Sequence, residues 1–230
     1  RLLVEDFAAR EGKFLEIYVG KSANVEHLLP LAHDGHTILQ WSVAGQSQVN
    51  RFEPRTARWD ERIEAARACQ DAGYLVRFRL SPIIPVRNWR QETAELVDRI
   101  FDRTAPDVIS LCALGWMDWD PARNCLDLSA LDPDFVEAMR SAAPFLRARG
   151  YRAGGGRPIP HDARLAMMEH IVDRIRARSA DTVVALCLET PEMWSALGPK
   201  LGQVPGHYVC NCGPLSTPGG ALYDKLVPAR

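Results

Sequence analysis

The stretch from Thr37 to Ala72 restricts the fold more than any other part of the chain. Thr37 to Ala44 (TILQWSVA) is a short run with apolar and aromatic members, bounded by Gly35 and Gly45, which is a strand signal. After a polar loop, Trp59, Ile63, Ala66, Ala68 and Cys69 recur at roughly helical spacing. Asp60, Glu61, Arg62, Glu64 and Arg67 fill the other face. Strand, polar loop and helix together form the repeating unit of parallel α/β folds. Ligands of such folds lie at the carboxyl ends of the strands. Ser42 stands at that end.

The unit recurs along the first half of the chain. Phe14 to Val19 reads as a strand with Gly20 and Lys21 at its carboxyl end, and Asn24 is placed to cap a short helix through Val25, Leu28 and Leu29. Tyr74 to Leu80 is a strand stopping at Ser81-Pro82. Asn88 opens a helix through Trp89, Leu96, Val97, Ile100 and Phe101, and Asp107 to Leu114 is a buried strand. Four strands with three intervening helices predict an α/β fold, a parallel barrel or sheet. Ahead of them, Arg1 to Glu11 reads as a fragment of a helix, so a longer parent chain is expected.

After Gly115 the rhythm breaks. Trp116 to Ser129 is expected to be a long loop, followed by a helix from Asp132-Pro133 through Phe135, Met139 and Phe145. Gly154-Gly155-Gly156 reads as a permissive connection without a phosphate-loop pattern. His161 to Ser179 is a helix, Thr182 to Leu188 a last strand, and Glu192 to Leu197 a short helix. A tail rich in Pro and Gly begins at Gln203. The predicted divisions are 1–115 for the strand-helix portion, 116–200 for a helical and strand extension, and 201–230 for a cysteine-containing tail.

Charge and cysteine content limit the function. Net charge is -1, with 24 Arg and 4 Lys among 28 basic residues, so no global basic field announces nucleic acid. No apolar run reaches membrane-spanning length, and the amino terminus lacks a signal-peptide pattern. Six cysteines without framework spacing favour a reducing, cytoplasmic setting with thiols or metal ligands rather than a disulfide scaffold.

Several residues, in order, carry a resemblance. They are Lys21 with Val25, His27, Leu28 and Leu29; Ser42; Phe52-Glu53-Pro54 with Thr56; Arg62-Ile63-Glu64-Ala65-Ala66; Ala72-Gly73-Tyr74; and Pro82-Ile83 with Trp89. From about Phe14 to Trp89 the chain resembles the spore photoproduct lyase family of radical S-adenosylmethionine (SAM) enzymes. The resemblance implies a partial parallel (β/α) barrel of the radical SAM type with a C-terminal extension. It also implies SAM and a [4Fe-4S] cluster as cofactors, a 5'-deoxyadenosyl radical that abstracts hydrogen from substrate, and a reductant such as a flavodoxin or ferredoxin. The family binds its cluster through C-x3-C-x2-C, upstream of the stretch matching Phe14. This sequence contains no such loop. It is therefore expected to be a portion of a longer enzyme; loss of the chemistry is the other reading.

By the same resemblance Lys21 and Ser42 hold the SAM carboxylate, and Pro82 and Ile83 flank its adenine. An ammonium and a hydroxyl at neighbouring strand ends suit one anion. Glu53 and Arg62 are expected to form a surface ion pair that steadies loop and helix. His27, His33 and His36 have no zinc-ligand spacing and read as surface or cap residues. Cys187 ends the last predicted strand, and Cys210 and Cys212 form a C-x-C in the tail. Three readings of these thiols stay open: an auxiliary metal or iron-sulfur site made by all three, hydrogen-atom donation by Cys210 or Cys212, or a structural role. Trp116, Met117 and Trp119 either plug the barrel or stack on a flat substrate. A DNA thymine lesion, a peptide or another small molecule fits as substrate. The rival readings are an iron-free barrel enzyme using Lys21, Asp118 or Glu189 in acid-base chemistry, and a non-catalytic binding module.

Overall fold

A computed structural model describes residues 1–148, 156–211 and 213–227. Five parallel strands form one sheet in the order β1 (Leu15–Gly20), β2 (Thr37–Val43), β3 (Leu75–Ile83), β4 (Val108–Ala113) and β5 (Val183–Leu186). Spatial order follows chain order without reversal. Right-handed crossovers in such a sheet all fall on one face, so it curls as a barrel sector instead of a doubly wound sheet. The last strand belongs to the same sheet as the first four, in register from Val108 opposite Val183 to Leu111 opposite Leu186.

The helices on the outer face are α3 (Trp59–Asp71), α4 (Trp89–Arg103), α7 (His161–Arg178) and α8 (Pro191–Leu201). They bury alternate strand residues, among them Leu39, Trp41, Val43, Val76, Phe78, Leu80, Ile109, Leu111, Val184 and Leu186. Trp41 and Phe78 are wholly buried, with ring centroids 6.5 Å apart. The period of two along each strand sends the intervening residues to the concave face. There the tail and α9 (Ala221–Leu226) cover part of β4 and β5, packing Val209, Leu222 and Tyr223 against Val108, Val183 and Ala185.

Several local expectations change. The first helix, α1 (Leu2–Ala8), is shorter than Arg1 to Glu11. No helix follows Asn24; two turns close through Leu28 N–H to Val25 C=O and Leu31 N–H to Leu28 C=O. The central loop instead holds α2 (Gln46–Phe52), and the expected loop after Gly115 contains α5 (Trp119–Cys125). The helix from Asp132-Pro133 is α6 (Pro133–Ala148). Gly154 and Gly155 lie outside the described residues. His33 is buried rather than on the surface. Its ring stacks on Tyr74 at 3.7 Å and its Nε2 lies 2.9 Å from the Ala72 carbonyl just beyond α3, so it acts as a cap.

Candidate active site

Strand tips β1 and β2 carry the first group of polar side chains. Gly20 pairs with Trp41, so Lys21 and Ser42 share one rim of the sheet. Lys21 Nζ lies 2.5 Å from Glu53 Oε1, and Arg62 Nη2 lies 2.8 Å from Glu53 Oε2. Arg62 also donates to the carbonyls of Ala57 and Ser42 and to Thr56 Oγ1, at 2.7–3.0 Å. This corrects the surface ion pair expected from the sequence: Arg62 is completely buried and Glu53 nearly so. Arg62 enters the interior because the loop from Glu53 to Ala57 and the tip of β2 offer its guanidinium several acceptors. Such a buried pair differs from a surface one in kind, since removing one partner strands a desolvated charge.

Two cations share one carboxylate here. Arg62 is saturated and sealed, whereas the Lys21 side chain keeps 30% of its exposure. One positive charge is thus left over at the accessible end, beside the Ser42 strand tip, where an anion lowers the energy.

The tip of β3 is arranged differently. Ser81-Pro82 is a cis peptide. The Gln48 carboxamide accepts from Ile84 N–H at 3.1 Å and donates to Pro82 C=O at 2.7 Å; the Ile83 carbonyl accepts from Leu114 N–H. Pro82 and Ile83 line a pocket with Val43, Gly45, Leu80 and Trp89. Their contribution to a ligand there is chiefly side-chain surface, because Gln48 already engages the nearby backbone groups.

A third group lies at the tips of β4 and β5. Leu111 pairs with Leu186, and Cys187 N–H donates to Leu111 C=O at 2.8 Å, so Cys112 and Cys187 are in-register neighbours on the concave face. Arg79 Nη2 is 2.8 Å from Cys187 Sγ. The Cys112 thiol is lowered to about 6, first by its hydrogen bond from Cys187 and then by Ser81 and Arg79; burial opposes this. Cys187 is pushed well above the thiol range by the same hydrogen bond, by burial and by the neighbouring sulfur charge. Arg79 touches Cys187 while the lowering falls on Cys112. The two sulfurs share one proton, so the acid is the pair.

Cys210 is near enough to raise Cys187 further, and Cys212 lies outside the described residues. Among the described residues, no three metal-ligating side chains converge. Cys112 is the residue that the sequence reading missed. A signal was present: DVISLCAL and TVVALCLE align, each strand ending in Leu-Cys.

Beside this pair, Gly115, Trp116, Arg157, Arg164, Cys187 and Glu189 line an open cleft. Arg164 and Glu189 form a buried pair at 3.0 Å, which takes Glu189 out of contention as an accessible base. Trp116 is 66% exposed with φ of 65°, a left-handed conformation that costs a non-glycine residue about 1 kcal/mol or more. Met117 and Trp119 turn inward and pack on the core, so the plugging role falls to them and not to Trp116. Asp118 precedes α5, and its Oδ1 is buried without a hydrogen-bond partner.

Deeper on the concave face, Arg77 is clamped by Asp107 at 2.7 Å and donates to the Ser216 carbonyl, while Tyr223 Oη donates to Asp107. This network ties the tail to the sheet. Glu16 on β1 faces the same side, and burial raises its carboxyl to about 7.

Comparison with known proteins bears on the fold. Residues 2–112 match the family model described as spore photoproduct lyase. The chain is 37% identical over 83 residues to spore photoproduct lyase of Geobacillus sp. (strain Y412MC61), covering 36% of this chain and 24% of that protein. Against the Bacillus subtilis (strain 168) enzyme it is 33% identical over 91 residues, covering 40% and 27%. It thus spans about a quarter of the length of these curated relatives. In structure it is similar to a doubly substituted spore photoproduct lyase solved with bound AdoMet and dinucleoside spore photoproduct. The TM-score is 0.61 at 22% identity, covering 80% of this chain and 54% of that one. A second spore photoproduct lyase, complexed with dinucleoside spore photoproduct, gives a TM-score of 0.60 at 22% identity and the same coverage. The fold, a five-stranded parallel α/β barrel sector, is the one these solved structures share, and residues 2–112 are similar to the spore photoproduct lyase family.

Proposed function

We propose that this chain is the SAM-side portion of a radical SAM enzyme of the spore photoproduct lyase type, and that Lys21 and Ser42 hold the carboxylate of S-adenosylmethionine. The observation that carries the reading is the pair of cations on one carboxylate, with the surplus charge on the accessible Lys21. The donor chemistry fits: an ammonium and a hydroxyl at adjacent tips suit a carboxylate, and Arg62 fixes the backbone of Ser42 from behind. When bound and reduced by one electron, SAM supplies a 5'-deoxyadenosyl radical for hydrogen abstraction. Glu53 orients Lys21, and Pro82 and Ile83 offer an apolar wall for the adenine. No C-x3-C-x2-C is present to hold a [4Fe-4S] cluster, so no step is assigned through one in these residues.

The cleft beside β4 and β5 is the proposed substrate site. Trp116 presents a flat aromatic face there, suited to stacking on a base. A dinucleoside photoproduct is the substrate class that the structural relatives support. Hydrogen return by Cys210 or Cys212 and electron supply by a flavodoxin or ferredoxin complete the reading. No helix among the described residues is long and apolar enough to cross a membrane, and the cysteine usage favours the cytoplasm.

The test uses the full-length gene product, reconstituted anaerobically with iron and sulfide and given SAM and dithionite. A brown protein that forms 5'-deoxyadenosine is expected. Lys21→Ala should weaken SAM binding at least tenfold while the thermal midpoint moves little. A colourless protein that leaves SAM intact would sink the reading, as would unchanged SAM affinity in the variant.

A further inference from the structure

The geometry points to a second chemical site on this rim: Cys112 and Cys187 form a redox-active dithiol that a hydroperoxide closes to a disulfide. Three observations carry it. The two residues are in register on neighbouring parallel strands, on the same face. Adjacent strands lie about 4.8 Å apart, inside the range of roughly 4.4–6.8 Å that a disulfide needs between Cα atoms. Arg79 holds a guanidinium against the sulfurs, 2.8 Å from Cys187, and so favours a thiolate over a neutral pair. Cys187 lines the cleft, which admits a molecule as small as hydrogen peroxide. The lowered thiol of Cys112 agrees with this arrangement.

Cys69 and Cys125 lack these features. Cys69 lies on the buried face of α3, and burial alone pushes it up to about 12. Cys125 is exposed at the end of α5. Neither has an in-register thiol partner or an arginine against its sulfur.

The Cys112 thiolate attacks one peroxide oxygen and the O–O bond breaks, giving a sulfenic acid and hydroxide, which takes up a proton. Cys187 sulfur then attacks the sulfenic sulfur. The S–O bond breaks, water leaves with the Cys187 proton, and the S–S bond forms. Two thiols are oxidised by two electrons and one hydroperoxide is reduced to water. This site is distinct from the SAM-binding reading and does not depend on it.

The experiment treats the reduced full chain with stoichiometric hydrogen peroxide, blocks remaining thiols, digests without reductant and identifies linked peptides by mass spectrometry. A Cys112–Cys187 peptide is expected before Cys125 is modified. Cys187→Ser should leave Cys112 as a sulfenic acid captured by dimedone. Labelling of the Cys112–Cys187 pair in the unsubstituted protein by iodoacetamide should begin well below the pH at which an ordinary thiol reacts, which tests the idea without any variant. The proposal fails if Cys125 oxidises first with no Cys112–Cys187 peptide, or if the pair labels only at the pH of an ordinary thiol.

Discussion

The two faces of one sheet divide the labour of this protein. On β3, Val76, Phe78 and Leu80 face the helices, whereas Arg77, Arg79 and Ser81 alternate with them toward the concave side. The outer face is continuous hydrocarbon, and its burial supplies the driving force for folding. The concave face carries Glu16, Gln40, Arg77, Arg79, Ser110 and Cys112, and it is held by directed bonds instead. Gln40 and Ser110 are almost fully buried, yet their side chains have no hydrogen-bond partner. Each such group costs about 1–3 kcal/mol. The lesson is that the outer face stabilises a barrel wall whose inner face is polar enough to work on a ligand.

The sharpest way to break this contrast is Phe78→Ala. It empties the outer core between β3 and its neighbours and should cost about 3–5 kcal/mol in urea unfolding, with no dependence on salt. Asp107→Ala on the other side should cost about 3 kcal/mol, because Arg77 is left charged and buried. Here a second substitution should rescue. Adding Arg77→Met should return most of the loss, whereas no charge change elsewhere should repair Phe78→Ala. If the Asp107 loss persists in the double variant, the inner face is held by packing and the contrast fails.

The smallest effect sharpens the comparison through pH. Burial raises the Glu16 carboxyl to about 7 from an ordinary value near 4.5. The folded state then binds a proton that the unfolded state has released between those values. Stability therefore falls as pH rises from about 4.5 to 7 and is level above. Glu16→Gln should remove that slope and stabilise the chain at pH 8 by about 1 kcal/mol, after allowance for solvent screening at this half-buried site. An unchanged pH profile in the variant would show that solvent reaches the carboxylate freely.

The sequence by itself determined the elements with strong local signals. The five strands appear near where the sequence puts them, because strand signals are local properties, although β3 runs through Ser81-Pro82 to Ile83 where the proline was expected to end it. Lys21, Ser42, Pro82 and Ile83 were legible as strand-tip residues for the same reason. Only the tertiary structure decided where charge would be buried. Arg62 reads as a surface residue among Asp60, Glu61 and Glu64, yet it is sealed because the Ser42 carbonyl and the loop from Glu53 to Ala57 surround its guanidinium with acceptors. It also decided that Cys187 would meet Cys112, 75 positions away, because β4 and β5 pair in register across α5, α6 and α7. Spacing along a chain carries no record of which strand lies beside which; that follows from how the crossovers pack.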